Sequence, residues 1–411
     1  MRLAMISDTH FGDEDSTLVQ KHPTQGLTAG TRYKAFFNAA GKENDYLVLA
    51  GDIFDFSIAP YEKAYLYARA FFELIKKDGV AKRVLYLPGN HDADMWHILQ
   101  HQRSIIKRLE DPRKELPVSL AHSIPAVIDD RNSAGDLVLH GVRRNAGTEP
   151  YGGMFLDNIT ASEPTKFLFA FPNLYIAAGK EVVAVTHGHY LEDYWSLGSE
   201  TVPVIASDRF KPGDLDIETV SALNFPLNQL SCTGIGQAGI LTEIARELEK
   251  EVEGKRAVKL DAYADRAIDF ALERIGMKFP LKTIASFGLR LMKQAQIRKM
   301  LRSEPARKDE KFLTRPDIKE RFKRYYSSCA REIDEINEDR PNKLPYPSKV
   351  IFGHTHHPIP WNNPDRAIAL DSGGNITLSN MGGWLETNGV FCGAEVFTYE
   401  TGIGFSSKTI L

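Results

Sequence analysis

The sequence has few cysteines. Its 411 residues include three, Cys232, Cys329 and Cys392, and none of them forms a CxxC pair. Disulfide-stabilised scaffolds and cysteine-rich zinc sites need closely spaced cysteines, so both classes are excluded. Such sparse cysteines are typical of a reducing compartment, and we expect the three thiols to be free.

Long apolar runs and a bias in charge are also absent. No run reaches the ~18 to 20 apolar residues of a membrane span, and Asp8 interrupts the N-terminal apolar run before a signal-peptide core could form. Lys and Arg number 51 against 54 Asp and Glu, a net charge of -3, so only the local distribution of charge could indicate an anionic partner. We expect a cytoplasmic globular protein with room for two or three domains of ~150 residues.

Short β-rich runs alternate with helical periodicity in the first half of the sequence, which is typical of an α/β fold. The predicted buried strands are residues 3–7, 46–50, 84–87 and 136–140. Apolar residues spaced by three and four predict a helix that begins near Pro60 and another over residues 95–109. Residues 174–186, interrupted at Gly179, predict a β-hairpin.

The pattern changes between residues 191 and 345, where helical spacing recurs over 241–252, over 260–275 and after Pro316. Strand-like runs resume at residues 350–352, 376–379 and 390–398. The sheet that begins the chain is therefore expected to be completed at its end. We predict a discontinuous catalytic domain, residues 1–190 and 346–411, that carries a helical insertion of residues 191–345.

Side chains that bind metals recur at the ends of the predicted strands. Five fragments carry them: Asp8-Thr9-His10, Gly51-Asp52, Gly89-Asn90-His91-Asp92, His187-Gly188-His189 and Gly353-His354-Thr355-His356. Because sites in layered α/β folds form beyond the carboxyl ends of strands, we expect the fragments to converge. Their glycines permit tight turns and a close approach to a ligand.

These side chains predict a site for two metal ions. Carboxylate, amide and imidazole groups together suit Mn, Fe or Zn better than an ion that selects thiolates. Seven candidate ligands exceed the four of one tetrahedral zinc, whereas a bridging carboxylate with three further ligands on each side accounts for all seven. Each fragment alone is more often a turn or a hydrogen-bonded histidine, but five of them in this order favour a metal site.

In order, the fragments resemble the five motifs of calcineurin-like metallophosphoesterases: Asp8-x-His10, Gly51-Asp52-x-x-Asp55, Gly89-Asn90-His91-Asp92, His187 and Gly353-His354-x-His356. The resemblance covers the motif-bearing segments and implies a four-layer α/β/β/α sandwich. It also implies that one ion is held by Asp8, His10 and His356. The other would be held by Asn90, His187 and His354, with Asp52 as the bridge.

The resemblance and the chemistry together predict how such a site would act. Two metal ions clamp a phosphoryl oxygen and lower the pKa of a bridging water, which attacks phosphorus in line as hydroxide. We expect His91 to protonate the leaving oxygen and Asp92 to orient its imidazole. Two interpretations explain Asp55 equally well: a hydrogen-bond partner of the metal ligands, or a carboxylate in a turn or at the start of a helix. His189 is a candidate contact to substrate or to metal-bound water.

Charge within the predicted insertion bears on the substrate. Residues 274–331 contain 17 Lys and Arg against five Asp and Glu, interleaved with apolar residues. This block predicts either a solvated helical surface or peripheral contact with an anionic membrane. Nucleic acid is a less favoured partner, because the sequence has no aromatic-glycine RNA motif and no overall basic excess.

A second resemblance concerns residues 380–384, Asn-Met-Gly-Gly-Trp, which follow the last histidine motif. They are similar to the tail of UDP-2,3-diacylglucosamine diphosphatases, which cleave a pyrophosphate in a lipid A precursor, although that branch characteristically has arginine where His91 stands. The sequence therefore predicts a two-metal, Mn-dependent hydrolase of phosphate esters or pyrophosphates, with a phosphorylated small-molecule, nucleotide- or lipid-linked substrate. The alternatives are an Mn-dependent nuclease, a UDP-2,3-diacylglucosamine diphosphatase-like enzyme and a non-catalytic scaffold.

Overall fold

A computed structural model gives the architecture of most of the chain. The described residues are 1–110, 116–131, 137–139, 166–207, 209–210, 214–253, 256–274, 286, 289–290, 294, 311–338, 340–361, 363, 366–371 and 373–411. Much of the predicted basic block therefore lies outside the described residues, as do both ends of the strand predicted over 136–140. None of the described helices has the length and apolar character needed to cross a membrane.

The strands, numbered in chain order, are β1 (Arg2–Ile6), β2 (Val19–His22), β3 (Gly26–Ala29), β4 (Asn44–Ala50), β5 (Ala81–Leu87), β6 (Ala126–Asp129), β7 (Leu137–Leu139), β8 (Lys166–Phe169), β9 (Asn173–Ala178), β10 (Glu181–Thr186), β11 (Lys349–Phe352), β12 (Ala367–Ala369), β13 (Asn375–Asn380), β14 (Glu386–Thr387), β15 (Val390–Phe391), β16 (Ala394–Glu400) and β17 (Gly404–Ile410). The helices are α1 (Tyr33–Ala40), α2 (Tyr61–Lys77), α3 (Asp94–His101), α4 (Lys107–Glu110), α5 (Leu197–Ile205), α6 (Ile217–Gln229), α7 (Ile240–Glu253), α8 (Val258–Arg274) and α9 (Pro316–Glu338). A π-helical turn, Gln102–Ile106, joins α3 to α4, and a second, Leu230–Ile235, follows α6.

Two sheets form the centre of the fold. The first has six strands in the order β17-β16-β1-β4-β5-β8, and the second has seven in the order β12-β13-β11-β10-β9-β6-β7. Strands β1, β4, β5 and β8 run parallel, β16 pairs antiparallel with β1, and β17 pairs antiparallel with β16 at the edge of the sheet. In the second sheet β10, β11 and β13 are parallel neighbours.

Side-chain alternation along the strands assigns each sheet an inner and an outer face. In β1, Leu3 and Met5 belong to the cluster shared by both sheets, whereas Ala4 and Ile6 pack in the cluster that contains α1 and α2. Apolar residues of α6 and α9 join the outer face of the second sheet in a third cluster. The order of layers is thus α/β/β/α, which confirms the predicted fold class.

Helix α9 contributes to the outer layer of the sandwich, although it lies within residues 191–345. Its Ile318, Phe322 and Ile333 share one buried cluster with Val182 of β10 and Val350 of β11. The helices predicted after Pro60, near residue 95, in the insertion and after Pro316 are all present. The division of the chain at residues 190 and 346 stays a prediction.

The C-terminal strands differ from the prediction. The strand expected over residues 390–398 is two strands, because Gly393 has a φ of 103° and turns the backbone between β15 and β16. Strand β15 pairs with β14, whereas β16 pairs with β1. Strand β17 was not predicted, since an edge strand with Ser406, Ser407 and Lys408 lacks an apolar run.

Candidate metal centre

The predicted ligands follow strands whose carboxyl ends meet at one side of the sandwich. In the first sheet β1, β4 and β5 are parallel neighbours, and in the second β10 and β11 are. Each of these strands leads into one of the five motifs. The structure brings all seven predicted ligands together in buried positions: Asp8, His10, Asp52, Asn90, His187, His354 and His356.

One group of donor atoms comes from Asp8, His10 and His356, and one donor atom from each lies within 4.8 Å of the others. The two imidazole Nε2 atoms are 3.1 Å apart, and Nε2 of His356 lies 3.3 Å from Oδ1 of Asp8. Three donors from the two ends of the chain thus face a common point.

A second group comes from Asp52, His187 and His354, whose donor atoms also lie within 4.8 Å of one another. Nε2 of His187 lies 3.1 Å from Oδ2 of Asp52 and 3.0 Å from Oδ1 of Asn90. The same Oδ2 atom of Asp52 lies 3.9 Å from Nε2 of His10. The Asp52 carboxylate therefore stands between the two groups.

The backbone at this site adopts a conformation that side chains rarely take. Five of the ligands, all non-glycine, have φ between 46° and 67°: Asp8, His10, Asp52, His354 and His356. The left-handed region costs roughly 1–2 kcal/mol per residue, although Asp and His occupy it more often than most residues. Such strain clusters at functional sites, where the surrounding structure holds it in place.

Two glycines let the motif loops approach one another. A side-chain carbon at Gly51 would overlap the ring of His187, and one at Gly353 would overlap the carboxylate of Asp8. Gly51 also has a φ of 91°. These contacts explain why the two motifs contain glycine before their ligands.

Hydrogen bonds at one ring nitrogen fix the orientation of three imidazole rings. Nδ1 of His187 donates to the carbonyl of Ala50 at 3.0 Å, and Nδ1 of His10 lies 2.8 Å from Oδ2 of Asp55. Nε2 of His354 lies 2.8 Å from Oε2 of Glu192. A histidine that donates through one ring nitrogen presents the lone pair of the other, as metal ligation requires.

Buried carboxylates and imidazoles at this site shift one another's pKa values. Burial raises the pKa of Asp52, but the charges of His187 and His91 outweigh it and hold that pKa well below its usual value. Burial lowers the pKa of His187, yet Asp52 raises it to about 9. The carboxylates thus stay ionised and need positive charge beside them, which ring protons or divalent cations can supply.

The residues present fit a pair of divalent cations. Buried carboxylate oxygens, imidazole nitrogens and one amide oxygen converge, a donor set that suits Mn, Fe or Zn. The buried Nδ2 of Asn90 also has no hydrogen-bond partner among the described residues. A buried N–H donor without a partner costs about 1–3 kcal/mol, and an acceptor from outside the chain, such as an oxygen of a bound anion, would satisfy it.

Asp55, rather than Asp92, holds the imidazole of His91. Nδ1 of His91 lies 3.0 Å from Oδ1 of Asp55 and 2.6 Å from Oγ of Ser57. Asp55 also contacts His10, so its carboxylate joins a predicted ligand to the predicted proton donor, as the first of the two interpretations of this residue expects.

The expected contact between Asp92 and the His91 ring is therefore corrected. The Asp92 carboxylate accepts backbone N–H groups of Ile53 at 2.7 Å and Gly89 at 2.6 Å, and the hydroxyl of Tyr86. Burial and the charge of Asp52 raise its pKa to about 6. Asp92 thus ties the loops of the second and third motifs together.

His189 is buried beside the ligands. Its ring centroid lies 5.4 Å from that of His187 and 4.0 Å from that of Tyr190, and neither ring nitrogen has a hydrogen-bond partner among the described residues. Burial, reinforced by His187 and His354, lowers its pKa well below the usual value. The predicted contact of this neutral ring with substrate or with metal-bound water stays a prediction.

Two residues near the site lie outside the five motifs, and the sequence analysis did not predict them. Glu192 contacts His354, as described above, and the thiol of Cys232 donates to the carbonyl oxygen of Asn90 at 3.1 Å. Glu192 follows His189 by three residues, and this closeness was its one signal in the sequence. Cys232 gave no signal, because it reaches the site only through the packing of the turn after α6.

A comparison with protein-family models agrees with this geometry. The calcineurin-like phosphoesterase family model matches residues 1–215, which include the first four motifs. A search of curated proteins gave no match. The match covers more than half of the chain, and the seven side chains that the motifs predict as ligands converge in the structure. The chain therefore belongs to the calcineurin-like phosphoesterase family and is a metal-dependent phosphoesterase.

Proposed function

We propose that this enzyme uses two divalent ions, with Mn as the first candidate and Fe or Zn as the others, to hydrolyse phosphate esters or pyrophosphates. The position of Asp52 between two groups of donor atoms carries the proposal. One ion would be held by Asp8, His10 and His356, and the other by Asn90, His187 and His354. Asp52 would bind both ions. When bound, the ions would lower the pKa of a water between them and neutralise charge on the phosphate oxygens.

We assign proton transfer to His91. Its side chain is 23% exposed while its Nδ1 is held by buried Asp55, so Nε2 is the ring nitrogen that would donate to the leaving oxygen. The backbone N–H of His91 donates to Oδ1 of Asp52 at 2.8 Å. This bond fixes the loop that carries His91 against the carboxylate that we propose as the bridge.

Aromatic and apolar side chains near His91 in the sequence segment 194–197 support a substrate with an aromatic or lipid portion. The ring of Trp195 lies 6.4 Å from that of His91, and the neighbouring Tyr194 and Leu197 are exposed. A lipid- or nucleotide-linked phosphoester would place its apolar part against these side chains. A UDP-2,3-diacylglucosamine diphosphatase-like activity is one form of this proposal.

Peripheral contact with an anionic membrane from the cytoplasmic side stays a proposal that rests on the charge of residues 274–331. In the described part of this block, several cations pair within the protein: Arg321 with Asp193, Arg324 with Glu200 and Arg331 with Asp214. Intramolecular pairing reduces the charge that these arginines offer to a surface. The contact therefore depends mainly on the lysines and arginines before residue 311.

A screen of the metal-loaded enzyme tests the proposal. Purified protein loaded separately with Mn, Fe or Zn is assayed on phosphomonoesters, phosphodiesters, pyrophosphates and nucleic acids, with Asp52→Asn as the matched control. We expect hydrolysis of at least one small-molecule class and its loss in the variant. Cleavage confined to nucleic acid, with a steep loss of affinity as salt rises, would establish the nuclease alternative instead. No hydrolysis by protein shown to hold two ions would favour the scaffold.

A further inference from the structure

Glu192 contacts a predicted metal ligand, although no motif contains it. Its Oε2 lies 2.8 Å from Nε2 of His354, and its side chain is 27% exposed. The carboxylate is not part of the group of donor atoms formed by Asp52, His187 and His354. Glu192 therefore contacts His354 without joining that group of donor atoms.

The backbone around Glu192 is fixed on both sides. The turn that leads to it begins at Gly188, whose φ is 97°, and the N–H of Glu192 donates to the carbonyl of His189 at 3.0 Å. Both the N–H and the hydroxyl of Ser196 donate to the Glu192 carbonyl. Arg321 donates to the Leu191 carbonyl at 2.7 Å. A carboxylate held in this way can set the orientation of a neighbouring ring.

A carboxylate on the distal nitrogen of a ligating histidine fixes the tautomer and the angle of its ring and raises its basicity. With the Nε2–H of His354 donating to Glu192, the lone pair of Nδ1 is the one available to a cation. We propose that Glu192 is a positioning residue that strengthens the ion held by Asn90, His187 and His354. This inference rests on the proposed two-ion function.

The contact also connects the metal centre with the predicted insertion. Glu192 touches His354, and Trp195, three residues later, lies beside His91. One short segment, residues 189–196, thus contacts a predicted metal ligand and the predicted proton donor. Substrate that packs against Trp195 would press on the segment that orients His354.

Metal binding, measured without turnover, tests Glu192. Metal-free wild type, Glu192→Gln and Glu192→Ala are titrated with Mn²⁺ by isothermal titration calorimetry, and the bound ions are counted by electron paramagnetic resonance. Asp193→Asn is the matched control, because Asp193 is the next carboxylate along the chain and pairs with Arg321. We expect one of two ions to bind about 10–100-fold more weakly in the Glu192 variants, with the larger loss in Glu192→Ala, and the other ion to bind as in wild type.

The outcomes separate this inference from the proposed function. Two ions with wild-type affinities in both Glu192 variants would overturn the positioning role and leave the two-ion proposal intact. Equal weakening of both ions, with a lower unfolding temperature of the metal-free protein, would also overturn it, since that pattern means general destabilisation. Fewer than two ions in the wild type would instead contradict the proposed function.

Discussion

His91 combines a partly exposed ring with a buried anchor, Asp55. In that position an imidazole can exchange a proton with a bound substrate while its angle stays fixed. We predict that His91→Ala lowers kcat by 10²- to 10⁴-fold for esters with poor leaving groups, the usual range for general-acid catalysis. Esters of p-nitrophenol, whose leaving group needs no proton, should lose much less. The measurement is kcat across a series of leaving groups, with metal content checked in each sample.

Asp55 is expected to affect two histidines at once. Its two oxygens contact His10 and His91 separately, so Asp55→Asn should weaken metal binding through His10 and slow turnover through His91. The effect of such partners on metal affinity is about 10- to 100-fold. Metal titration and kcat of the same preparation measure the two losses.

The effects of Asp55→Asn are compared with those of Asp92→Asn. Asp92 ties loops together through backbone N–H groups, so its amide variant should lower the free energy of unfolding by about 1–3 kcal/mol. If Asp92→Asn weakens metal binding as much as Asp55→Asn without loss of stability, our distinction between the two carboxylates is wrong.

Among the elements, residues 229–237, which contain the π-helical turn after α6, pack on two of the motif loops. Gln237 donates through Nε2 to the carbonyls of Phe56 at 2.9 Å and Ala59 at 3.0 Å, and it accepts the N–H of Tyr61 at 2.9 Å. Thr233 in the same segment donates to buried Asp94 at 2.5 Å. Residues 229–237 therefore support the loops that carry Asp55 and His91.

Removal of the Gln237 amide should loosen that support. We expect Gln237→Ala to lower the free energy of unfolding by about 1–3 kcal/mol, because the partner groups lose their bonds inside the protein. Gln20→Ala is the control, since Gln20 makes an exposed bond to the N–H of Thr31. Denaturant unfolding measures both, and equal small losses would mean that the turn contributes little to the loops.

Helix α9 is joined to the second sheet by a buried carboxylate. Glu332 accepts from Asn173 at 2.8 Å, Tyr175 at 2.7 Å and Ser123 at 2.8 Å, and burial raises its pKa to about 7 from an ordinary 4.5. Because the folded state holds the proton more tightly than the unfolded chain, the stabilising contribution of Glu332 is fully present below the unfolded pKa. It falls as the pH rises from about 4.5 to 7, by about 3 kcal/mol.

Glu332→Gln removes this titration. We expect the free energy of unfolding of the wild type to fall more between about pH 5 and pH 8 than that of the variant, as measured by denaturant unfolding at several pH values. Glu320→Gln, an exposed change on the same helix, should keep the wild-type slope. A Glu332→Gln slope equal to the wild-type slope would contradict the prediction.

How far the sequence predicts this molecule depends on whether a feature is local. The strand ends with Asp8, Asp52 and His187 follow from apolar runs and motif order, and the structure brings them together. The carboxylate that holds the His91 ring could not be predicted, because Asp55 and Asp92 have similar places in their motifs. Only tertiary packing determines that Asp55 contacts the ring. Glu192 and Cys232 were missed for the same reason, since each reaches the site through packing that leaves no periodic pattern.

For the whole molecule, bound metal should stabilise the fold. The donor atoms come from both sheets, so an ion bound by the folded state joins them, and the unfolded chain offers no such site. At a free concentration 100 times its dissociation constant, one ion adds about 2.7 kcal/mol. We therefore expect a chelator to lower the Tm of metal-loaded protein measured by calorimetry.

His356→Ala provides the control for the chelator experiment. The variant lacks a donor from the first group, so its Tm should fall less on chelation than that of the wild type. An equal fall in both proteins would indicate that the stabilising ion binds elsewhere.

Strand β1 lies between β4, which follows it closely in the sequence, and β16, which begins only at Ala394. A ribosome therefore releases a first sheet whose β1 edge has no partner until residues 394–400 emerge. Open strand edges pair readily with other chains. His10 and His356 are 346 residues apart, so the donor group they share also forms late in synthesis. During translation the open edge of β1 therefore stays available to other chains until residues 394–400 emerge, and the proposed metal centre is complete only once His356 has been made.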